Sequence, residues 1–134
     1  MLKTISKSIV LPVFALIALD QIIKWAVVSG GLSFTLNEGL PLFNGVYISS
    51  SVYIFLALLL IFLLMVANKY VNKSLVVPVL LVMSGALSNV IDRVVRGGVV
   101  DFIDIKIWPV FNLADLLLVA GAVWIVLIIS KRGV

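Results

Sequence analysis

The stretch FNLADLLLVAGAVWIVLIIS, residues 111–130, decides the fold class of this chain. From Leu116 to Ile129 it carries no charged side chain, and its length approaches the ~20 apolar residues that are needed to cross ~30 Å of hydrocarbon. It is therefore predicted to be a transmembrane helix. Its first residues are unusual for such a helix, because Asn112 and Asp115 place polar groups where the chain enters the apolar core.

The composition of the whole chain supports this prediction. The 134 residues are 63% hydrophobic and 12% charged, with a mean hydropathy of +1.31, which excludes a water-soluble domain. The chain has no His and no Cys, so imidazole bases, thiol nucleophiles, disulfides and nearly all transition-metal sites are excluded, and we expect no metal and no cofactor. The net charge of +4 suits contact with anionic membrane lipids and requires no nucleic-acid partner.

Four apolar runs have the length of a membrane span, and the chain is predicted to be one integral membrane domain, residues 1–134, that is mainly α-helical. The predicted transmembrane helices lie at about 8–28, 51–68, 75–91 and 113–130. The first run follows Lys3 and Lys7 like a signal peptide, but no small-residue cleavage site follows it. We therefore expect this helix to be retained in the mature protein.

The positions of the basic residues predict the orientation. One set lies beside the termini and the connection between the second and third helices: Lys3, Lys7, Lys69, Lys73, Lys131 and Arg132. A smaller set lies in the other connections: Arg93, Arg96 and Lys106. Because cytoplasmic segments are enriched in Lys and Arg, both termini are predicted to be cytoplasmic.

The two outward loops, at about 29–50 and 92–112, are longer than simple helix connections and are expected to carry function. The first contains the β-prone pieces LSFTL and VYI, which predict a small extracytoplasmic sheet or hairpin on the membrane surface. In the second loop, Trp108 and Pro109 are typical of an interfacial anchor and a break before the last helix.

Several charged residues have simple structural interpretations. Asp20 and Lys24 are four positions apart on a helix, which predicts a buried ion pair. Asp92 and Arg93 are expected at the end of the third helix, with Asp92 in an interfacial ion pair, while Arg93 could equally face a substrate carbonyl or a lipid headgroup. The remaining loop acids, Glu38 and Asp104, are expected to be solvated or interfacial charges.

Asp101 and Asp115 are the best candidates for chemistry. Asp115 also has a structural interpretation, because it lies three residues after Asn112 and would complete a capping box. Asp101 follows Gly97 and Gly98, which suggest a flexible hinge. Both acids fall at the outer edge of the membrane core on either side of a returning loop, so they can meet. Two neighbouring carboxyl groups share a proton, so one can act as base on a water while the other donates to a carbonyl oxygen, as in aspartic proteases.

Five motifs, in order along nearly the whole chain, resemble the lipoprotein signal peptidases, the type II signal peptidases of bacterial plasma membranes. The motifs are DQIIK at 20–24, NEG at 37–39, SNVIDR at 88–93, VVDF at 99–102 and FNLAD at 111–115. The resemblance implies that Asp101 and Asp115 form the catalytic pair of an aspartic endopeptidase. It also implies a substrate, a prolipoprotein cut on the N-terminal side of a diacylglyceryl-modified cysteine.

The resemblance further implies roles for other polar residues. Those expected to bind substrate are Asn37, Asn89, Arg93 and Asn112. Those expected to give structural support are Asp20, Lys24, Gly39 and Asp92. The expected location is the bacterial plasma membrane with the active site near the outer face, and the expected partners are membrane lipids, lipidated substrate and cyclic-peptide antibiotics that inhibit similar enzymes. A monomer is expected, because one chain supplies a complete site.

The sequence departs from the family pattern at two places. Ser88 stands where the family usually has Gly, and Phe43 lies one residue further from Gly39 than is usual, with Pro41 between them. Two other functions remain open from sequence. One is a small proton-coupled exporter with Asp20 as proton carrier, which the two long outward loops disfavour. The other is a catalytically inactive binding or assembly protein on the same fold.

Overall fold

The structure is a computed structural model that describes residues 2–38, 41–42, 46–47 and 73–131. The described helices are α1 (Leu2–Ser29), α2 (Val76–Arg96) and α3 (Leu113–Ser130), and a short 3-10 helix, Lys73–Leu75, precedes α2. The described strands are β1 (Thr35–Asn37), β2 (Pro41–Leu42), β3 (Val46–Tyr47) and β4 (Val99–Asp101). The predicted helix at 51–68, Phe43 and Gly39 lie outside the described residues.

Three helices in the described part of the chain are long and apolar enough to cross a membrane, Leu11–Ser29, Val76–Arg96 and Leu113–Ser130. The chain is thus a mainly helical membrane protein. Helix α2 continues past the predicted end at 91, because the residues after Asp92 are compatible with a helix as far as Gly97. Gly97 ends it in the left-handed conformation, with φ of 78°, which glycine adopts without strain.

Helix α2 lies between the other two described helices and packs against both. Its contact with α3 is close enough to require glycine on each side. A Cβ atom on Gly85 would lie 2.3 Å from the carbonyl oxygen of Ala114, and one on Gly121 would lie 2.6 Å from that of Pro78. Close backbone approach through small residues is typical of membrane helix packing, where lipid supplies no hydrophobic drive for association.

The face of α1 that is buried in the protein is partly polar. Val13, Asp20, Lys24 and Val27 are buried along one stripe, while Phe14 and Trp25 on other faces are exposed. Exposed apolar and buried polar side chains are the arrangement expected of a helix in lipid, where charged groups must find partners inside the protein.

The small sheets join the two outward loops. Strands β2 and β3 form a short antiparallel pair inside the first loop, so the predicted β structure is present there. Strand β1 pairs instead with β4 from the second loop, with Thr35 opposite Asp101 and Asn37 opposite Val99. Asp101 therefore lies at the end of a buried strand, which follows the hinge that Gly97 and Gly98 suggested and is held by its pairing with β1.

The chain between β4 and α3 forms a closed returning loop. Ile103 and Phe111 are bridged in antiparallel fashion, with the Ile103 amide donating to the Phe111 carbonyl at 2.8 Å and the reverse bond at 3.1 Å. At the tip, Lys106 has φ of 66°, and its amide donates to the Asp104 carboxylate at 2.9 Å. The bridge brings the end of β4 beside the start of α3.

Candidate active site

Asp101 is held by two asparagine side chains. The residue is 3% exposed, and its carboxylate accepts hydrogen bonds from Nδ2 of Asn112 at 2.6 Å and from Nδ2 of Asn37 at 3.1 Å. Burial is the main influence on the pKa of Asp101 and raises it above the ordinary value. The two asparagine bonds and the charge of Lys24 oppose this rise, while the charge of Asp115 adds to it, and the net direction is upward.

Asp115 lies in the first turn of α3 and completes the predicted capping box, which the structure confirms. The side-chain oxygen of Asn112 accepts from the backbone N–H of Asp115 at 2.9 Å, and Oδ2 of Asp115 accepts from the backbone N–H of Asn112 at 3.1 Å. The other carboxylate oxygen, Oδ1, has no part in the cap and accepts from Nδ2 of Asn89 at 2.9 Å. Asp115 therefore does more than cap the N-terminus of α3.

Asn112 joins the two acids. Its side chain donates to Asp101, and its backbone amide donates to Asp115. The structure thus brings together the two carboxylates that were predicted as a pair, and each carboxylate oxygen accepts an N–H from an asparagine. Such amides hold both carboxyl groups in a defined orientation while leaving further lone pairs for a water or a substrate group.

The residues predicted to bind substrate lie around this pair. The amides of Asn37, Asn89 and Asn112 all donate to one of the two aspartates. Arg93 is on α2, half-buried, with Nη1 at 3.3 Å from the Asn89 carbonyl oxygen. The asparagines are therefore positioned to orient the acids, a contact that the sequence motifs did not indicate.

The predicted ion pair between Asp20 and Lys24 is confirmed, and it is part of a larger network. Lys24 Nζ lies 2.8 Å from Oδ2 of Asp20 and 2.7 Å from Oδ2 of Asp92, and all three side chains are fully buried. The prediction that Asp92 forms an interfacial ion pair is wrong, because α2 continues beyond it and packs it against α1. Asp92 also pairs with Arg96 and accepts from the Val100 amide at 3.2 Å, which ties β4 to α2.

Asp20 links α1 to the start of α3. Its Oδ1 accepts from the Ala114 amide at 3.0 Å, one residue before Asp115, and its Oδ2 accepts from Ser88 Oγ at 2.6 Å. With Lys24 also bound, this carboxylate is fully engaged, which argues against the proton carrier that the exporter alternative required. Ser88 contributes its hydroxyl to the buried network.

Sequence reasoning did not single out Gln21. Its Nε2 donates to Ser88 Oγ at 2.9 Å and to Asp92 Oδ1 at 3.0 Å, and its Oε1 accepts from Arg96 at 2.9 Å. The sequence did indicate Gln21 as a candidate, because it lies inside a predicted membrane span, where a polar residue must face a polar partner in the protein.

A groove of about 280 Å³ lies directly beside Asp115. Apart from that carboxylate its walls are apolar and come from the returning loop and from α3: Ile105, Trp108, Phe111, Leu116 and Val119. The groove can hold an apolar group next to the carboxyl pair.

The fold and the site together define an integral membrane protein in which Asp115, at the N-terminus of α3, lies beside an apolar groove and is joined through Asn112 to the buried Asp101. Two carboxyl groups are also the groups that aspartic peptidases use to activate water.

Comparison with known proteins defines the family. The family model described as signal peptidase (SPase) II matches residues 12–131, and the chain belongs to this family. The chain is therefore a membrane signal peptidase of type II, which confirms the resemblance seen in the motifs.

Several curated relatives are lipoprotein signal peptidases. The protein of Halothermothrix orenii is 32% identical over 138 residues, which cover 90% of this chain and 93% of the relative. That of Moorella thermoacetica is 32% identical over 126 residues, covering 80% and 82%. That of Syntrophus aciditrophicus is 36% identical over 101 residues, covering 72% of this chain and 62% of the relative.

A solved structure shares the fold. It is a bacterial membrane enzyme determined by the in meso method at 2.3 Å resolution, and it superposes with a TM-score of 0.81 at 24% identity. The superposition covers 93% of this chain and 88% of the other.

Proposed function

We propose that this chain is an aspartic endopeptidase in which Asp101 and Asp115 cut the signal peptide from diacylglyceryl-modified prolipoproteins, on the N-terminal side of the lipidated cysteine. The observation that carries the proposal is the linkage of both carboxylates through Asn112. Its side-chain Nδ2 donates to Oδ1 of Asp101 at 2.6 Å, and its backbone N–H donates to Oδ2 of Asp115 at 3.1 Å.

The environments of the two acids suggest different roles. Burial raises the pKa of Asp101, so this carboxyl group retains its proton more readily than an ordinary aspartate and serves as the acid. Asp115 lies at the N-terminus of α3, where the helix dipole favours a negative charge, and it serves as the base.

The reaction follows from these roles. Asp115 takes a proton from a water whose oxygen bonds to the scissile carbonyl carbon, while Asp101 gives its proton to the carbonyl oxygen. When the tetrahedral intermediate collapses, the carbon–nitrogen bond breaks, Asp115 returns its proton to the leaving amine, and Asp101 recovers a proton from the hydroxyl that becomes the carbonyl. The pair ends in its starting state.

The surroundings of the pair suit a lipidated peptide. An extended peptide in the membrane has lost water and must find hydrogen-bond partners for its backbone, and we assign this role to Asn37, Asn89, Arg93 and Asn112 in addition to their contacts with the aspartates. The apolar groove beside Asp115 would hold a side chain or part of the lipid next to the scissile bond. Cyclic-peptide antibiotics of the kind that inhibit similar enzymes would compete at the same place.

The proposal includes the membrane arrangement. Residues 51–68 supply the second of four transmembrane helices, both termini are cytoplasmic, and the carboxyl pair lies near the outer face of the bacterial plasma membrane. One chain supplies both acids and the described groove, so the active unit is a monomer.

The experiment is cleavage of a purified, lipidated prolipoprotein by the purified chain in detergent, with both products identified by mass. The expected products separate immediately before the lipidated cysteine, and Asp101→Asn abolishes the reaction. Cleavage elsewhere would refute the substrate assignment. Full activity of Asp101→Asn would refute the aspartic mechanism.

A further inference from the structure

We infer that Lys24 is a positioning residue for the catalytic pair, acting through the side chain of Asn89 on Asp115. The inference rests on the proposed function, because it gives a role in the reaction to a lysine that the sequence motifs suggested only as structural support.

The bonding of Lys24 exceeds what an ion pair requires. Its ammonium group is 0% exposed and contacts Asp20 at 2.8 Å and Asp92 at 2.7 Å, which already compensate its charge. A third bond goes to Oδ1 of Asn89, at 3.2 Å. An ammonium group donates in three directions, so this bond uses the donor that the carboxylates leave available.

That third bond determines how the Asn89 amide is turned. With its oxygen toward Lys24, the amide must present its nitrogen to Asp115, and Nδ2 lies 2.9 Å from Oδ1 of that residue. The opposite orientation would place the NH₂ group against an ammonium and the oxygen against a carboxylate, so both contacts would be repulsive. Lys24 therefore selects the rotamer of Asn89 that donates to Asp115.

The oxygen that Asn89 holds is the one outside the helix cap. Oδ2 of Asp115 accepts from the backbone amide of Asn112, while Oδ1 accepts from Nδ2 of Asn89. The ammonium also polarises the amide, and hydrogen bonds in such a chain strengthen each other in a buried environment. Loss of Lys24 thus leaves the cap intact and loosens the hold on Oδ1 of Asp115.

Energetic reasoning supports a functional purpose. A buried ammonium between two carboxylates carries a large desolvation cost, and replacement of buried ion networks by apolar groups is often neutral or stabilising. Ionisable residues within membrane spans therefore commonly mark functional sites. Here the network reaches a proposed catalytic residue through a single intervening amide.

The test compares charge-compensated variants in the purified chain. Asp20→Asn alone removes the ion pair within α1 but keeps the ammonium on Asn89. Asp20→Asn combined with Lys24→Met removes the ammonium as well and leaves Asp92 paired with Arg96. We expect the second variant to lose ~10- to 100-fold in kcat relative to the first, with KM nearly unchanged, because misplacing a catalytic group by ~1 Å costs up to ~100-fold.

A conservative variant distinguishes positioning from scaffolding. Asp20→Asn combined with Lys24→Gln supplies a neutral N–H donor near Asn89. We expect it to recover part of the kcat that is lost with Lys24→Met, while its melting temperature equals that of the Lys24→Met double variant. When Asn89→Leu is also present, replacing Lys24 by Met should not lower kcat further, since the side chain that connects Lys24 to Asp115 is already absent.

The outcomes are separable. The inference is overturned if Asp20→Asn has the same kcat with and without Lys24→Met. It is also overturned if Asn89→Leu has the kcat of the native chain. Asn89→Leu keeps both ion pairs of Lys24, so it serves as the test if the double variant fails to fold. A rise in KM alone for Asn89→Leu would make Asn89 a substrate contact and also overturn it. Full activity of Asp115→Asn would instead overturn the proposed function itself.

Discussion

Asp115→Asn separates the helix-capping role of this residue from its proposed role as a base. In the native chain, Oδ2 of Asp115 accepts from the Asn112 amide at 3.1 Å and Oδ1 accepts from Asn89 at 2.9 Å. Asparagine has nearly the same volume but only one acceptor oxygen. It can preserve one of these contacts, and its NH₂ group must then face the donor of the other.

The structural cost of this change is small. A lost capping interaction costs ~1 kcal/mol, and a lost hydrogen bond in a partly buried site costs about the same. The contact from the Asn112 side chain to the backbone amide of residue 115 is untouched, since it does not involve the carboxylate. We therefore expect the variant to fold, with its free energy of unfolding lowered by ~1–2 kcal/mol.

The catalytic cost is much larger if Asp115 is the base. Asparagine cannot take a proton from water, and general-base catalysis contributes ~10²- to 10⁴-fold to a rate. We expect a loss of ~10³-fold or more in kcat/KM, equivalent to ~4 kcal/mol of transition-state stabilisation. Because the two acids act as a unit, Asp101→Asn combined with Asp115→Asn should be little slower than either single variant.

The assay follows cleavage of a lipidated prolipoprotein in detergent together with thermal unfolding of the same preparations. Asp104→Asn is the matched control, since it makes the identical chemical change in the same loop region at an exposed carboxylate paired with Lys106. The control should cleave at the native rate. Activity of Asp115→Asn within ~10-fold of native, below the contribution expected of a general base, would return this residue to helix capping alone.

Three further predictions concern stability, ionisation and orientation. Gly85→Leu should unfold the chain at markedly lower temperature than Gly97→Ala. A Cβ at 85 meets the Ala114 carbonyl oxygen at 2.3 Å, whereas one at 97 meets nothing within 4 Å and costs only the ~1–2 kcal/mol of a left-handed backbone; equal melting temperatures would contradict the close helix contact. Because the pKa of Asp101 is raised in the folded chain, its contribution to stability is fully present below the unfolded value of 3.8 and is lost as pH rises through the folded pKa. The melting temperature of the native chain should therefore fall as pH rises between these two pKa values, and the fall should be smaller in Asp101→Asn. A reporter fused after Val134 should be cytoplasmic and one inserted near Asn44 external, and the reverse labelling would place the carboxyl pair on the wrong face.

The features that were predictable from sequence depend on residues close together in the chain. Hydropathy over ~20 residues is sufficient to identify a membrane span, and it found the stretches that form α1, α2 and α3. The Asn112–Asp115 capping box and the Asp20–Lys24 ion pair involve spacings of three and four residues, which one helical turn brings together whatever the rest of the fold does. Five ordered motifs were enough to indicate the family.

The end of α2 shows where local reasoning becomes insufficient. Asp92 and Arg93 looked like a polar helix terminus at the membrane surface, but the helix continues to Arg96 and Asp92 is fully buried. Its partner Lys24 lies on another helix, and no pattern along the chain specifies which distant charge will compensate a buried one. Packing of α1 against α2 decides it.

The same limit applies to the candidate active site. The two aspartates could be selected by elimination among six acids, since the sequence has no His or Cys, but their hydrogen-bond partners could not. Asn37 reaches Asp101 because β1 pairs with β4 from the other loop, and Asn89 reaches Asp115 because Gly85 and Gly121 allow α2 and α3 to touch. Residue types and short-range spacing thus identified the chemical groups. Only the tertiary structure placed them in contact, because those contacts join segments that are distant in sequence and depend on the packing of entire helices and strands.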